Sequence, residues 1–429
     1  MSFQTGLSGL NASSQMLDVI GNNIANANTV GNKESRVEFS NIVAAAIGSG
    51  GGGSGQGIGV DVATVSQKFT QGNLSVTNNN MDLAINGNGM FQVKRTDGTI
   101  AYTRDGQFKL DKSGNILTNT GANVMGYPTD ATGAPTSITS QKLVVPTTAP
   151  IAASATTAIT ASLNLDSRAP IASEASPPTP RATYGTSVTT YDSQGNAVPE
   201  TLYFTKVNPA NSSESPIGVT NPPTDQWAIY DSLAPTAKPV GYMSFNSTGA
   251  IAGTFNASGV ATTAVGKLPL TITNTANPTA GALTPTLDMT GVTQFGTNFA
   301  VSNLSQNGYT SGNFTSLTID SKGVITTNYS NGQTMKTGGM VALGNFRNVQ
   351  GLTDVGHGEY LESYKSGAVV MGNPSVGQFG EIRSGSIEES NVDLTSELVN
   401  MMTAQRNYQA NAQTIKTQDQ VMSTLVNMR

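Results

Sequence analysis

The chain has no cysteine, a single histidine, a single tryptophan and an unusually small complement of charge. Without cysteine, neither a disulfide scaffold nor a thiolate metal site can form. One histidine and no cysteine also exclude a typical zinc centre. That histidine, His357, lies in Asp354-Val355-Gly356-His357-Gly358-Glu359, where a turn or loop role is simpler than that of a base. A Ser-His-Asp triad would have to use it, yet no G-x-S-x-G elbow is present. Glu388 and Glu389 adjoin in sequence; they read as solvated charges beside a helix start rather than as a glycosidase pair. One tryptophan is poor support for a carbohydrate-binding platform. These absences leave no candidate catalytic residue, cofactor site or metal site, and an enzyme is not expected.

Charged residues make up 11% of the chain, against roughly 25% in ordinary globular proteins. The net charge of −5 gives no basic footprint for nucleic acid. No apolar run approaches the roughly 20 residues that span a bilayer, so no membrane insertion is expected. The opening Met1-Ser2-Phe3-Gln4-Thr5 lacks the basic and apolar regions of a cleavable signal peptide, and the first charge is Asp18. If the protein leaves the cell, it is expected to do so by another route.

What the chain does contain is uncharged polarity. Apolar residues reach 37%, with 47 glycines, so the polar surface must be mostly Asn, Gln, Ser and Thr. Such groups can be buried against a partner, if hydrogen-bonded, at much lower cost than charges. The composition therefore suits a protein covered by copies of itself. At 429 residues the chain has room for two or three domains.

The ends differ from the middle. Phe3, Leu10, Leu17 and Ile24 recur every seven residues, flanked by Ile20 and Ala27, which predicts a helix from Phe3 to about Asn28. Leu394, Met401, Tyr408, Ile415 and Met422 form a second seven-residue series. Leu398, Ala412 and Val426 add the 4-3 spacing of a coiled-coil seam, interrupted by Gln405 and Asp419. Ser390, Asn391 and Asp393 are candidate N-caps for a helix reaching Met428, with Glu397 in its first turn. The predicted self-association residues are Phe3, Leu10, Leu17, Ile20, Ile24, Leu394, Leu398, Met401, Tyr408, Ala412, Ile415 and Met422.

Gly48 to Gly59 reads as a flexible connection, within a Gly-rich connecting segment at 34–70. From about 70 to 385 the pattern is β. A turn motif, Asx followed three residues later by Gly, recurs at Asp111, Asp130, Asp192, Asn246, Asn256 and Asp320. Asx caps the backbone locally and Gly accepts positive φ. Asp97-Gly98 and Asn331-Gly332 are tighter hairpin signals. These acidic residues lack the alternate oxygen donors and late Glu of a calcium loop. A Thr/Ala/Pro-rich stretch from about Pro146 to Pro285 includes Pro177-Pro178-Thr179-Pro180. The expected fold is mixed. Long terminal α-helices (1–33 and 385–429) form a coiled-coil-like self-assembly domain. An inner, mainly antiparallel β domain (71–146 and 286–384) carries a second, outer β domain (147–285) inserted into it.

Two terminal motifs are specific. Gly21-Asn22-Asn23-Ile24-Ala25-Asn26-Ala27-Asn28-Thr29-Val30-Gly31 resembles the N-terminal signature of bacterial flagellar rod and hook proteins. Asn391-Val392-Asp393-Leu394-Thr395-Ser396-Glu397-Leu398-Val399, together with the run from Ala404 through Gln405 and Arg406 to Thr417, resembles the C-terminal one. The family-signature residues are thus Asn23, Asn26, Thr29, Gly31, Asn391, Asp393, Gln405 and Arg406. Internal matches lie at Ala84–Phe91, Thr103–Phe108 and Tyr329–Gln333. Asn32 departs from the aromatic residue usual in the family. Length and the large insertion resemble the hook members rather than the shorter rod members. The resemblance implies export by the flagellar secretion apparatus and polymerisation under a hook cap. The product would be a curved tube, a universal joint that transmits torque from rod to filament, touching rod and hook–filament junction proteins. A distal rod or other axial protein is the alternative. A secreted β-rich adhesin is the less favoured one.

Overall fold

The computed structural model describes residues 2–43, 57–147, 149–173, 184–211, 214–217, 225–234, 237–274, 277–278 and 281–427. The 48–56 part of the expected connection and the Pro177–Pro180 run lie outside the described residues. Helix α1 spans Ser2–Ala25 and α2 spans Leu394–Asn427. The α1 helix stops short of the expected Asn28, where the Asn26 side chain takes a backbone carbonyl of the last turn and is itself held by Thr29. Asn26 Nδ2 donates back to the Asn22 carbonyl at 3.0 Å, and Thr29 Oγ1 donates to Asn26 Oδ1 at 3.2 Å. At the other end, Asp393 caps α2. Its carboxylate accepts from the Thr395 N–H at 2.9 Å and the Ser396 N–H at 3.3 Å.

The chain divides into two compact units. The first comprises Met1–Thr148, Thr315–Asn328 and Thr334–Arg429; the second comprises Ala149–Phe314 and Tyr329–Gln333. In the first unit, residues 34–70 are not simply a connection. Strands β1 (Ser35–Val43) and β2 (Gly57–Gln67) pair antiparallel into a two-stranded ribbon, with register shifts at Glu38/Phe39 and Ile42/Val43. The reason is local: Val37, Phe39, Val60, Val62 and Val65 supply β-branched and aromatic pairs. Gly57 and Gly59, read from sequence as part of a flexible run, belong to β2.

The main sheet of this unit runs in the order Thr353–Asp354, Glu359–Leu361, Ile100–Thr103, Met90–Lys94, Asn123–Tyr127, Ile116–Leu117, Lys109–Leu110. Leu83, Ile85, Phe91, Val93 and Val124 are fully buried, and Phe91 meets Phe108 edge-on at 5.1 Å. The returning chain pairs with the outgoing one. Glu381–Ser384 lies against Leu83–Asn86, and Ser386–Glu388 against Leu74–Val76, which delivers α2 to the neighbourhood of α1.

The second unit is built from two sheets around one core. Tyr184–Tyr191, Ala197–Val207, Asp225–Tyr230, Gly241–Phe245 and Ile251–Asn256 form a sequential antiparallel meander. Ala158–Asp166 organises the other sheet. It pairs parallel with Thr286–Asp288 and Thr293–Phe295, and antiparallel with Ala300–Gln306. Alternate residues of both sheets point inward, among them Ile159, Leu163, Leu202, Phe204, Trp227, Ile229 and Phe245. The composition shift had placed 286–384 with the inner domain, but residues up to Phe314 belong to the second unit. Strand pairing decides this, and Leu287, Met289 and Val292 complete that unit's core.

All six Asx–Gly turns form. In each, the Asx side chain accepts from the N–H groups two and four residues on. The closing glycine takes φ between 76° and 88°, a region that side-chain-bearing residues resist. His357 also sits in a turn, at φ 58°, without any catalytic setting.

Candidate assembly site at the paired termini

Helices α1 and α2 pack against each other through small residues. A Cβ placed on Gly9 would lie 2.8 Å from Asn411 Nδ2, and one on Gly6 3.2 Å from Ile415 Cγ1. Ser13 turns its hydroxyl back to the Gly9 carbonyl at 2.8 Å. On α1, Ala12, Ser13, Ile20 and Asn23 are buried, while Leu10, Leu17 and Ile24 are half-buried and Phe3 is exposed. On α2, Ala404 and Glu397 are buried, and Met401, Ala412 and Ile415 are half-buried. Leu394, Leu398, Tyr408 and Met422 remain exposed.

The predicted residues therefore fall into two groups. Leu10, Leu17, Ile20, Ile24, Met401, Ala412 and Ile415 lie on covered or half-covered parts of the helices. Phe3, Leu394, Leu398, Tyr408 and Met422 face outward, joined there by Leu7, Val399, Met402 and Val421. Leu394, Leu398 and Met402 stand four residues apart, so they form one stripe along α2. The apolar periodicity missed Gly6, Gly9, Ala404 and Asn411. The signal that could have found them is the small-residue spacing on α1, which lets helix backbones approach.

The family-signature residues other than Gln405 and Arg406 lie where the helices meet the β strands. Asn23 binds one residue twice: its Nδ2 donates to the Ser35 carbonyl at 2.8 Å, and its Oδ1 accepts from the Ser35 N–H at 2.9 Å. Asn391 Oδ1 accepts from the Glu34 N–H at 2.7 Å, and its Nδ2 donates to the Lys68 carbonyl at 2.7 Å. Gly31 takes φ 69°, and a Cβ there would lie 2.6 Å from the Asp105 nitrogen; only glycine fits. Its N–H donates to the Glu388 carbonyl at 2.8 Å. Asn32 reaches Ser390 Oγ at 3.4 Å. Gln405 and Arg406 are exposed on α2.

At the centre is a cluster that sequence reasoning placed in solvent. Glu388 is fully buried. Its Oε1 lies 2.5 Å from Lys33 Nζ and its Oε2 2.9 Å from Arg104 Nη1. The Gly72 N–H also donates to Oε1, at 3.0 Å. Lys33 donates further to the Thr70 carbonyl at 2.9 Å, and Arg104 to the Gly87 carbonyl at 2.8 Å. Burial pushes the Glu388 carboxyl up, but the neighbouring Arg104 and Lys33 cations outweigh it and hold the group below the usual carboxylate range. Burial lowers Lys33, partly offset by Glu388. Nothing in one residue's sequence neighbourhood announces this, since the partners come from remote segments. Burial also raises the Glu397 carboxyl, partly offset by the Asn23 side chain.

This arrangement ties remote segments of one chain to each other. Among the described residues no set of three His, Cys, Asp or Glu side chains could hold a metal ion, and no helix is long and apolar enough to cross a membrane. Four family models match in chain order. They are the flagella basal body rod protein at 3–33, the flagellar hook protein FlgE/F/G D1 domain at 84–161, the flagellar basal body protein FlaE D2 domain at 164–309, and the flagellar basal body rod FlgEFG protein C-terminal at 383–428. The flagellar hook protein FlgE of Salmonella typhimurium is 38% identical over 444 residues, covering 100% of both chains. That of Escherichia coli K12 is 38% identical over 447 residues with the same coverage. That of Treponema pallidum is 31% identical over 458 residues, covering 99% of this chain and 98% of the relative. The crystal structure of the Helicobacter pylori hook protein FlgE2 superposes with a TM-score of 0.51 at 15% identity, over 73% of this chain and 100% of that one, a likeness of fold.

Proposed function

Since this chain belongs to the flagellar hook protein family, as a structural subunit of the hook and not an enzyme, we propose how its parts build that polymer. The paired α1 and α2 of many copies form a shared, coiled-coil-like inner lining. The two β units stand outside it, the second inserted into the first. The assembled tube is curved and flexible and carries torque from rod to filament. Its partners are copies of itself, the rod protein below, the hook–filament junction protein above, the hook cap during growth and the flagellar export apparatus.

One observation carries this reading. The two helices cover only part of each other's apolar surface and leave Phe3, Leu394, Leu398, Met402 and Met422 exposed. A stripe of this kind is unfavourable on a dilute monomer, and each side chain buried fully in a polymer contributes about 1.5–3 kcal/mol before ordering costs. The self-association residues accordingly serve two roles: Leu10, Leu17, Ile20, Ile24, Met401, Ala412 and Ile415 within the subunit, the exposed set between subunits.

Electron microscopy of concentrated protein tests the proposal. Curved tubes from the intact chain, and none from a Leu398→Asp, Met402→Asp variant that keeps its monomeric fold, are expected. Straight tubes would favour a distal rod protein. Tubes of normal form from that variant, or from a chain lacking both helices, would refute it.

A further inference from the structure

We propose that Glu200 makes the second unit proton-sensitive: its meander sheet is tightest with the Glu200 carboxyl neutral and loosens when that group ionises. The proposal concerns a part of the molecule remote in sequence from the terminal helices, and it stands or falls independently of the assembly reading.

The placement is set by strand register. In Ala197–Val207, Val198, Leu202 and Phe204 point into the core. With a period of two, Glu200 belongs to the same inward row. It is 9% exposed, and its Oε1 has no hydrogen-bond partner among the described residues. Directly across the ladder is Val188, which packs against the same core. The charged group acting on it is Asp231, immediately beyond the strand Asp225–Tyr230; among the described residues no cation offsets that like charge. A strand built for hydrophobic burial thus carries a carboxyl that is largely shielded from solvent and, among the described residues, has no counter-ion. Burial first, then Asp231, pushes this carboxyl up to about 7.

The chemistry is one proton exchanged with water. Neutral Glu200 loses little by being buried; the anion leaves an uncompensated charge beside apolar side chains and a second carboxylate. A raised acid pKa in the folded state means that the folded unit holds a proton that the unfolded chain releases. Stability from this group is therefore full below the unfolded value of about 4.5, falls as the pH rises towards about 7, and is level beyond. Two other carboxylates of the unit respond elsewhere: the Arg168 side chain and the Asn196 side chain hold Asp166 and Asp192 respectively at about 2. The histidine of the chain lies in the first unit.

Trp227 makes the test selective, being the single tryptophan of the chain and fully buried in the second unit's core. Melting of the full chain, followed by its emission, should show a midpoint lower by about 5 °C or more at about pH 8 than at about pH 5. Glu200→Gln should remove the difference, and Asp231→Asn should move the transition to lower pH. Infrared spectra near pH 6 should show the carbonyl band of a protonated carboxylic acid, weaker in Glu200→Gln than in the wild type. Equal wild-type midpoints at both pH values overturn the proposal, as does a Glu200→Gln variant that keeps the wild-type dependence. Should Glu200→Gln fail to fold, the wild-type protonated-acid band and the Asp231→Asn shift decide it, and the lack of either refutes it.

Discussion

Removing the Glu388 carboxylate would leave Lys33 and Arg104 facing each other in a site closed to water. The cost of breaking such a buried arrangement from one side is about 3–5 kcal/mol. Urea unfolding of Glu388→Ala should register a loss of that size in the first unit, and Glu388→Gln a smaller but still large one. Gly31 is constrained differently, by φ 69° and the closeness of Asp105. Gly31→Ala is expected to destabilise by more than about 1 kcal/mol, measured the same way. The turn residues respond to acid. Hydrogen bonds from the Asn196 side chain depress Asp192 to about 2. A depressed carboxylate contributes stability above its ordinary value of about 3.9, lost as the pH falls through about 2. Asp192→Asn can keep the two backbone bonds at Oδ1 but loses those that Asn196 and Asn274 donate to Oδ2; it should be less stable at neutral pH, and because it does not titrate, its Trp227 emission should change less between about pH 4 and about pH 2 than in the wild type.

At the scale of elements, the helix pair depends on closeness. Gly9→Val would drive a branched side chain into Asn411. The variant should lose helical circular dichroism in dilute monomer and fail to form tubes, while its β signal is retained. This is also where the sequence is legible in part. The seven-residue recurrence marked both helices, and Asx with Gly marked all six turns, because each signal is local and its physics acts within a few residues. Ile20 and Ile415 on the contact face were legible, but Gly6, Gly9 and Ala404 were not, because such small side chains carry little hydrophobic signal; they act by what they leave out. The ribbon at Ser35–Val43 and Gly57–Gln67 was hidden by the glycines between its strands. Glu388 was misread because a side chain 355 positions away neutralises it.

For the whole molecule, two predictions separate the parts. Deleting 394–429 should abolish tubes yet leave Trp227 emission and its melting unchanged, since that residue reports the second unit alone. Copies that meet through apolar stripes and uncharged polar groups have little for ions to screen. Tube formation should therefore vary only slightly between about 50 and about 500 mM salt, followed by light scattering; a steep dependence would point to ion pairs between copies instead.

The Lys33–Arg104–Glu388 cluster has a consequence for how the first unit holds together. Its counter-charges lie 355 and 284 positions apart along the chain, so the dry site can close only when both ends of that unit are in place. A chain cut short before Glu388 would leave two cations without their shared anion, and the junction would stay open.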